Sequence, residues 1–185
     1  MRLRYAPLCL ALALPAAAIA APVRDDDDSS GAVDIVEVQA AHNRTTDRLV
    51  HQIAADDAFG PRNLRTDEGP PGSICLNVWT TRSSRKEVPN YEVCVTASRD
   101  GKRYKSSIVR IGGRTVRRVG RARVEQADSK RLVIRFDPDR IRRPASYRWS
   151  AQSATFGAGC SSSTGCEDFA PDQPRALKTT LRTPR

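Results

Sequence analysis

Cysteines carry the most definite chemistry in this sequence, and their spacing predicts disulfide bonds. Cys75 and Cys94 lie in two segments of alternating polarity, whereas Cys160 and Cys166 enclose a short polar loop. The fifth cysteine, Cys9, lies in the N-terminal stretch that we expect to be removed on export. In a chain that enters an oxidising compartment, the remaining four cysteines are typical of a disulfide framework. We favour the two local pairs, Cys75–Cys94 and Cys160–Cys166. Zinc is the alternative, but neither pair has zinc-ligand spacing and both histidines lie far away in sequence.

A run of four acids could bind a cation. The run consists of Asp25, Asp26, Asp27 and Asp28. We interpret it as a solvated, mobile segment near the N-terminus. The alternative is a calcium site, because hard cations are bound by several carboxylate oxygens. Since the spacing is not that of an EF-hand loop, we expect no cofactor, with calcium as the alternative.

Arginines and one tryptophan are the candidate binding residues. Five arginines share one parity of the predicted strands and are expected on one outer sheet face: Arg117, Arg121, Arg123, Arg131 and Arg135. Such a face either keeps the protein soluble or binds polyanions such as acidic polysaccharide, wall teichoic acid or anionic lipid. No nucleic-acid module accompanies it, so we do not expect nucleic acid as a partner. Trp79 is either a stacking platform for a sugar or a cover for the Cys75–Cys94 disulfide.

Catalytic motifs are missing. The only histidines, His42 and His51, fall in one predicted hairpin. The sequence has no Gly-x-Ser-x-Gly elbow, no His-Glu-x-x-His and no Gly-x-Gly-x-x-Gly. We therefore predict no catalytic residue. A secreted hydrolase remains an alternative, because a pair of glycosidase carboxylates leaves no local motif.

The first residues are typical of a secretory signal peptide. Arg2 and Arg4 precede a short apolar stretch, and Ala18-Ile19-Ala20 fits cleavage before Ala21. The stretch is shorter than the ~20 residues of a membrane span, and no later segment is long enough either. We predict a secreted chain with a signal peptide at 1–20, a flexible acidic segment at 21–31, one domain at 32–173 and a flexible basic tail at 174–185.

Charge is unevenly distributed along the chain. The formal net charge is +10, and removing Arg2 and Arg4 lowers it by two to +8. Residues 21–72 hold five arginines and eleven acids, a net of −6, whereas residues 102–148 hold sixteen basic residues and four acids, a net of +12. The fold must either separate these regions as a charge dipole or pair them across strands.

Strands are predicted wherever apolar residues alternate with period two. The clearest hairpin joins Ile74–Val78 to Tyr91–Val95, and facing Cys75 with Cys94 places its apolar pairs on one side. The other predicted strands are 34–42, 48–54, 104–111, 114–126, 131–136 and 146–155. About eight strands with frequent turns and no helical periodicity predict an all-β protein, an antiparallel β-sandwich stabilised by two local disulfides.

Three short motifs resemble those of a known group of sandwiches. They are Tyr147-Arg148-Trp149-Ser150-Ala151, Asp168-Phe169-Ala170-Pro171-Asp172 and Asp34-Ile35-Val36. Together they resemble exported actinobacterial β-sandwich proteins of unknown function, which are similar to DOMON-like sandwiches and family-nine carbohydrate-binding modules. The resemblance covers roughly residues 30–173 and implies a secreted sandwich that binds a sugar, a metal or another surface.

The functional prediction is a secreted, non-catalytic binding or adhesion module. Its expected partner is an extracellular glycan, a cell-wall polyanion or another secreted protein. The alternatives are an accessory or inhibitor protein that docks on a larger secreted enzyme, and the hydrolase described above.

Overall fold

The structure is a computed structural model that describes residues 21–26, 28–65, 70–80, 88–157, 160, 165–172 and 175–181. The predicted signal peptide and Asp27 lie outside the described residues. The strands within them, in chain order, are β1 Val23–Arg24, β2 Ile35–Asn43, β3 Arg48–Ala55, β4 Ser73–Trp79, β5 Tyr91–Ala97, β6 Tyr104–Gly112, β7 Thr115–Gly120, β8 Arg123–Asp128, β9 Arg131–Phe136, β10 Ser146–Thr155, β11 Cys166–Ala170 and β12 Leu177–Thr180. Two 3-10 turns, Pro61–Leu64 and Pro138–Ile141, complete the described elements.

The strands form two antiparallel sheets, which confirms the predicted all-β sandwich. The five-stranded sheet has the order β1-β2-β3-β9-β8. The seven-stranded sheet has the order β11-β10-β4-β5-β6-β7, with β12 also pairing with β10. The connection between β3 and β4 crosses from one sheet to the other. Consequently β7 and β8 are edge strands on one side of the sandwich, and β1 and β11 lie on the other.

The core lies between the sheets and is built by the alternating apolar residues. Ile74, Leu76 and Val78 on β4 are fully buried, as expected for the inward parity of a half-buried strand. On β2 the alternation is broken between Ile35 and Glu37, where a bulge shifts the register against β3. An extra residue in one strand lets both Ile35 and Val38 face the core.

The central hairpin has the predicted register. Cys75 lies directly opposite Cys94, and their Cα atoms are 4.1 Å apart. The second predicted disulfide, between Cys160 and Cys166, is also present. Both predicted local pairings are confirmed. For Cys75–Cys94, the apolar parity of β4 and β5 and the placement of the thiols require the same register.

The predicted single strand 114–126 is wrong. The chain leaves the seven-stranded sheet after Gly120, and β8 begins at Arg123 in the five-stranded sheet. The side chain of Arg140 packs over Gly120, where a Cβ atom would lie 2.9 Å from its Cδ, and Arg140 Nη1 donates to the Val119 carbonyl. Alternation alone does not show this break, because the polarity pattern continues through the link between the sheets.

Two segments predicted to be flexible ends contain strands. In the segment 21–31, Val23 pairs with Val38 and extends the five-stranded sheet. In the segment 174–185, Leu177 pairs with Trp149, and the Trp149 indole donates to Thr179 Oγ1 at 3.0 Å. These segments contribute ordered backbone to the sandwich because each has a neighbouring strand that leaves an edge open, and this makes the domain larger than residues 32–173.

Candidate functional site

A cluster of exposed arginines lies along the β7–β8 side of the sandwich, which we call the basic edge. From Gly101 to Val124 the sequence has nine basic residues and no acidic residue. Six of these basic residues, all exposed arginines, define the basic edge: Arg110, Arg114, Arg117, Arg118, Arg121 and Arg123. Because β7 and β8 are both edge strands, the fold places this charge where a partner can approach from outside either sheet.

The β6–β7 hairpin extends beyond the core. Ile108 is fully buried, whereas Arg110, on the same face of β6, is exposed. Arg110 lies directly opposite Arg117 on β7. Neither guanidinium forms an ion pair with an acid in the described part of the chain. Like charges in facing positions weaken strand pairing, so this pair is not explained by hairpin stability.

Polar contacts hold the link between the two sheets at this edge. Ser106 Oγ donates to the Ala122 carbonyl at 2.6 Å and accepts from the Ala122 N–H at 3.0 Å. Tyr104 Oη reaches across to Gln126 on β8, and burial raises the Tyr104 pKa to about 12. The phenol therefore remains a neutral donor, and the arginines are carried on a fixed backbone.

The predicted cluster of five arginines is not one face. Arg117 belongs to the seven-stranded sheet, Arg121 lies in the link, and Arg123 belongs to the five-stranded sheet. On β9, Arg135 pairs with Glu125 at 2.7 Å, and Arg131 lies 3.4 Å from an Asp128 oxygen.

The prediction of one shared face was wrong because the strand break at Gly120 changes the sheet. Arg131 and Arg135 lie on the outer face of the five-stranded sheet, where acids of β8 partly neutralise them. Arg117, Arg121 and Arg123 remain together along the basic edge. Sequence reasoning missed Arg110, although its isolated charge on the apolar parity of β6 was a usable signal.

Trp79 is half-buried on the outer face of the seven-stranded sheet. Arg148 lies opposite it on β10, with its guanidinium carbon 5.7 Å from the centroid of the Trp79 ring. This distance is in the range of a cation–π contact. The indole Nε1 is buried and has no acceptor among the described residues. Since Arg148 lies over the ring, Trp79 is less open to a sugar than the sequence alone suggested.

Both histidines are buried in structural contacts. His51 is fully buried, stacks on Phe136 with ring centroids 5.4 Å apart, and lies 3.0 Å from the Tyr147 hydroxyl. Burial lowers its pKa to about 3, so the ring is neutral at physiological pH. His42 contacts Asp47 at 2.9 Å. Neither ring is placed to take a proton from a substrate.

Asp47 connects the β2–β3 turn to the Pro138–Ile141 turn. Its carboxylate receives two hydrogen bonds from the Arg143 guanidinium, at 2.6 and 3.1 Å. Hydrogen bonds from Arg143 and then His42 lower the Asp47 pKa to about 2. The His42–Asp47–Arg143 group is therefore a brace between loops.

Five acids gather on the β1–β11 side, which we call the acidic edge. They are Asp25, Asp28, Asp34, Asp168 and Asp172. Carboxylate oxygens of Asp28, Asp34 and Asp168 lie within 4.8 Å of one another. Burial, followed by the charges of Asp172 and Asp168, raises the Asp25 pKa to about 6.

The acidic edge only partly matches the predicted run Asp25–Asp28. Asp26 is exposed and takes no part in the three-carboxylate group, and Asp27 lies outside the described residues. Asp34 and Asp168 come instead from the start of β2 and from β11. The sequence did contain a signal for Asp168. It lies between Cys166 and Ala170, on the parity of β11 that faces inward, where an acid is unusual.

Comparison of the chain with protein-family models, curated proteins and solved structures finds no match. The resemblance to exported sandwich proteins therefore stays a prediction. In the part of the chain that the structure describes, no helix is long and apolar enough to cross a bilayer.

Proposed function

We propose that this protein is an exported, non-catalytic sandwich module that binds anionic polysaccharide through its basic edge. The observation that carries the proposal is a run of nine basic residues with no intervening acid, four of which lie on the edge strands of both sheets or on the link between them: Arg117, Arg118, Arg121 and Arg123. Export is supported by the signal-like first residues and is compatible with the two disulfides.

The arrangement suits a flexible, charged polymer better than a small ligand. The arginines form an open row rather than a closed pocket, and guanidinium groups form paired hydrogen bonds with carboxylate, sulfate or phosphate groups. Exposed charges attract a polyanion over roughly a Debye length, about 8 Å at physiological ionic strength. We therefore expect binding that weakens steeply as salt is added.

A protective role for the arginines is the competing explanation. Charged residues on edge strands prevent two sheets from pairing edge to edge. Replacing arginine by glutamate separates the two roles, because glutamate also blocks edge pairing but repels a polyanion. A facing Glu–Glu pair also retains the like-charge repulsion of the wild-type Arg110–Arg117 pair.

The test compares salt-gradient elution from heparin and from purified teichoic acid. We expect the double variant Arg110→Glu, Arg117→Glu to elute at clearly lower salt than the wild type. If each arginine contacts one anionic group, the slope of log K against log salt falls by on the order of two. Circular dichroism checks that the variant is folded.

The matched control is the double variant Arg148→Glu, Lys178→Glu. These exposed residues face each other across β10 and β12, on the Trp79 side, and the substitutions change the net charge equally. We expect the control to retain most of the wild-type retention. Equal losses in both variants would show that net charge matters rather than the basic edge, and a larger loss in the control would move the binding site to the Trp79 side.

A further inference from the structure

Asp168 on β11 has an unusual environment for a charged side chain. It points into the sandwich from a strand position that faces Ser153, and only 3% of its surface is exposed. Its Oδ2 accepts a hydrogen bond from the backbone N–H of Ile35 at 2.5 Å. Its Oδ1 is also buried and has no hydrogen bond of regular geometry among the described residues, although the neighbouring Phe169 N–H is close enough to lower the Asp168 pKa. A buried carboxylate oxygen without a donor is costly unless another positive group compensates it.

Two further carboxylates face the same place. Asp28, just after β1, and Asp34, just before β2, each bring an oxygen to within 4.8 Å of an oxygen of Asp168. Asp34 is 7% exposed, so two of the three groups are nearly removed from water. Among the described residues, no lysine or arginine forms an ion pair with Asp28 or Asp168. Burial, and then the charges of Asp28 and Asp172, raise the Asp168 pKa against the effect of the Ile35 hydrogen bond.

We propose that Asp28, Asp34 and Asp168 bind one hard divalent cation of the calcium class, which joins the N-terminal segment to β2 and β11. The site is distinct from the proposed polysaccharide site, because the basic edge lies on the opposite side of both sheets. The cation supplies the positive charge that the buried Oδ1 of Asp168 lacks.

The chemistry of the ligands selects this class of ion. All three donors are carboxylate oxygens, which suit calcium and magnesium, whereas zinc and copper prefer nitrogen or sulfur. Oxygens bound to one calcium at roughly 2.3–2.6 Å can be about 5 Å apart, so a spread of up to 4.8 Å fits one coordination sphere. Magnesium requires closer oxygens, about 4.2 Å apart at most, and regular octahedral geometry.

The test is thermal unfolding of the chain from residue 21 onward, first stripped of metal with EDTA and then titrated with calcium. For a dissociation constant of about 10⁻⁴ M, 10 mM calcium should raise the melting temperature by roughly 5–10 °C. Magnesium at the same concentration should give a smaller rise. Isothermal titration calorimetry should show one site.

Paired variants identify the ligands. Asp28→Asn changes an exposed residue and should remove most of the calcium-dependent rise. It should also raise the melting temperature in EDTA, because one of three mutually repelling charges is gone. Asp26→Asn is the matched control from the same acidic run, and its calcium response should equal that of the wild type. If Asp168→Asn fails to fold, the Asp28 and Asp26 variants still decide the result.

Three outcomes would overturn the proposal. The first is a wild-type chain whose melting temperature and calorimetric signal do not respond to calcium. The second is a full calcium response in the Asp28→Asn variant. The third is an Asp168→Asn variant that is more stable than the wild type at pH 7, with no effect of calcium on either protein. That result would show that the carboxyls share a proton instead of binding a metal.

Discussion

The two edges of the sandwich carry opposite charge, and they differ as much in hydration as in sign. The arginines of the basic edge are all exposed, and two charges 4 Å apart in water interact by only about 1 kcal/mol. Asp34 and Asp168 of the acidic edge are buried, where burial itself disfavours a charged carboxylate. The basic edge can therefore keep its charge without a ligand, whereas burial of Asp168 at the acidic edge raises its pKa and favours its neutral form.

This difference suggests different roles for the two edges. Hydrated charges on fixed strands are available to a partner in solution, because little desolvation precedes contact. Carboxylates brought together from three segments, two of them buried, make folding sensitive to whatever neutralises them. We therefore infer that binding to a large anion belongs to the basic edge and that stabilisation of the fold belongs to the acidic edge.

Removing the Cys160–Cys166 disulfide by serine substitution at both positions should affect the acidic edge most and leave the basic edge unchanged. The crosslink joins residues six positions apart next to β11. Its loss increases the conformational entropy of the unfolded chain and should lower the free energy of unfolding by about 2 kcal/mol. Chemical denaturation should show this loss, together with a weaker calcium response, while heparin retention stays at the wild-type level. Loss of heparin retention in a folded variant would show that the edges are not independent.

A smaller effect is expected from adding one methyl group at a glycine of each edge. In Gly31→Ala the new Cβ would lie 2.6 Å from Thr155 Oγ1 and 2.9 Å from Cys166 Cβ, both of which are held by the sheet. We expect a loss of about 1 kcal/mol of unfolding free energy, at the low end of the range for overpacked sites.

The matched change at the basic edge is Gly120→Ala. Here the new Cβ meets Arg140 Cδ at 2.9 Å, and this long exposed side chain can move away. We expect less than about 1 kcal/mol in urea unfolding, since ordinary surface changes are small. Equal losses at Gly31 and Gly120 would contradict the distinction between a packed acidic edge and a hydrated basic edge.

The smallest effect concerns pH. The Asp25 pKa is about 6 in the folded protein and near 3.8 without the fold, so the folded chain binds the proton more tightly. Stability without divalent cations should then fall as pH rises from about 4 to about 6, because the folded state holds more protons in that window. Melting curves in EDTA should show this slope, and Asp25→Asn should reduce it. An unchanged slope in the variant would assign the effect to another group.

Much of the fold could be predicted from local alternation. The β2–β3 hairpin, the strand at 131–136 and the Cys75–Cys94 register follow from which residues must face the core. The end of β7 could not be predicted in this way. Gly120 and Arg121 continue an acceptable pattern, and the change of sheet between β7 and β8 is seen only in the tertiary structure.

The candidate sites were predicted only in part for the same reason. The excess of basic charge in residues 102–148 is visible in the sequence, but the pairing of Arg135 with Glu125 depends on the partner strand. The acidic run at Asp25–Asp28 is equally visible. That Asp28 lies near Asp34 and Asp168, while Asp26 stays exposed, depends on how β1 and β11 meet β2.

The sequence by itself determined the all-β class, the inward and outward faces of most strands, and both disulfides. These are local properties, because backbone pleating alternates side chains and a short loop limits which cysteines can meet. Only the tertiary structure decided which charges are neighbours and which are buried. Those are long-range contacts, selected by the packing of both sheets together, and the burial of a carboxylate such as Asp168 therefore does not follow from local alternation.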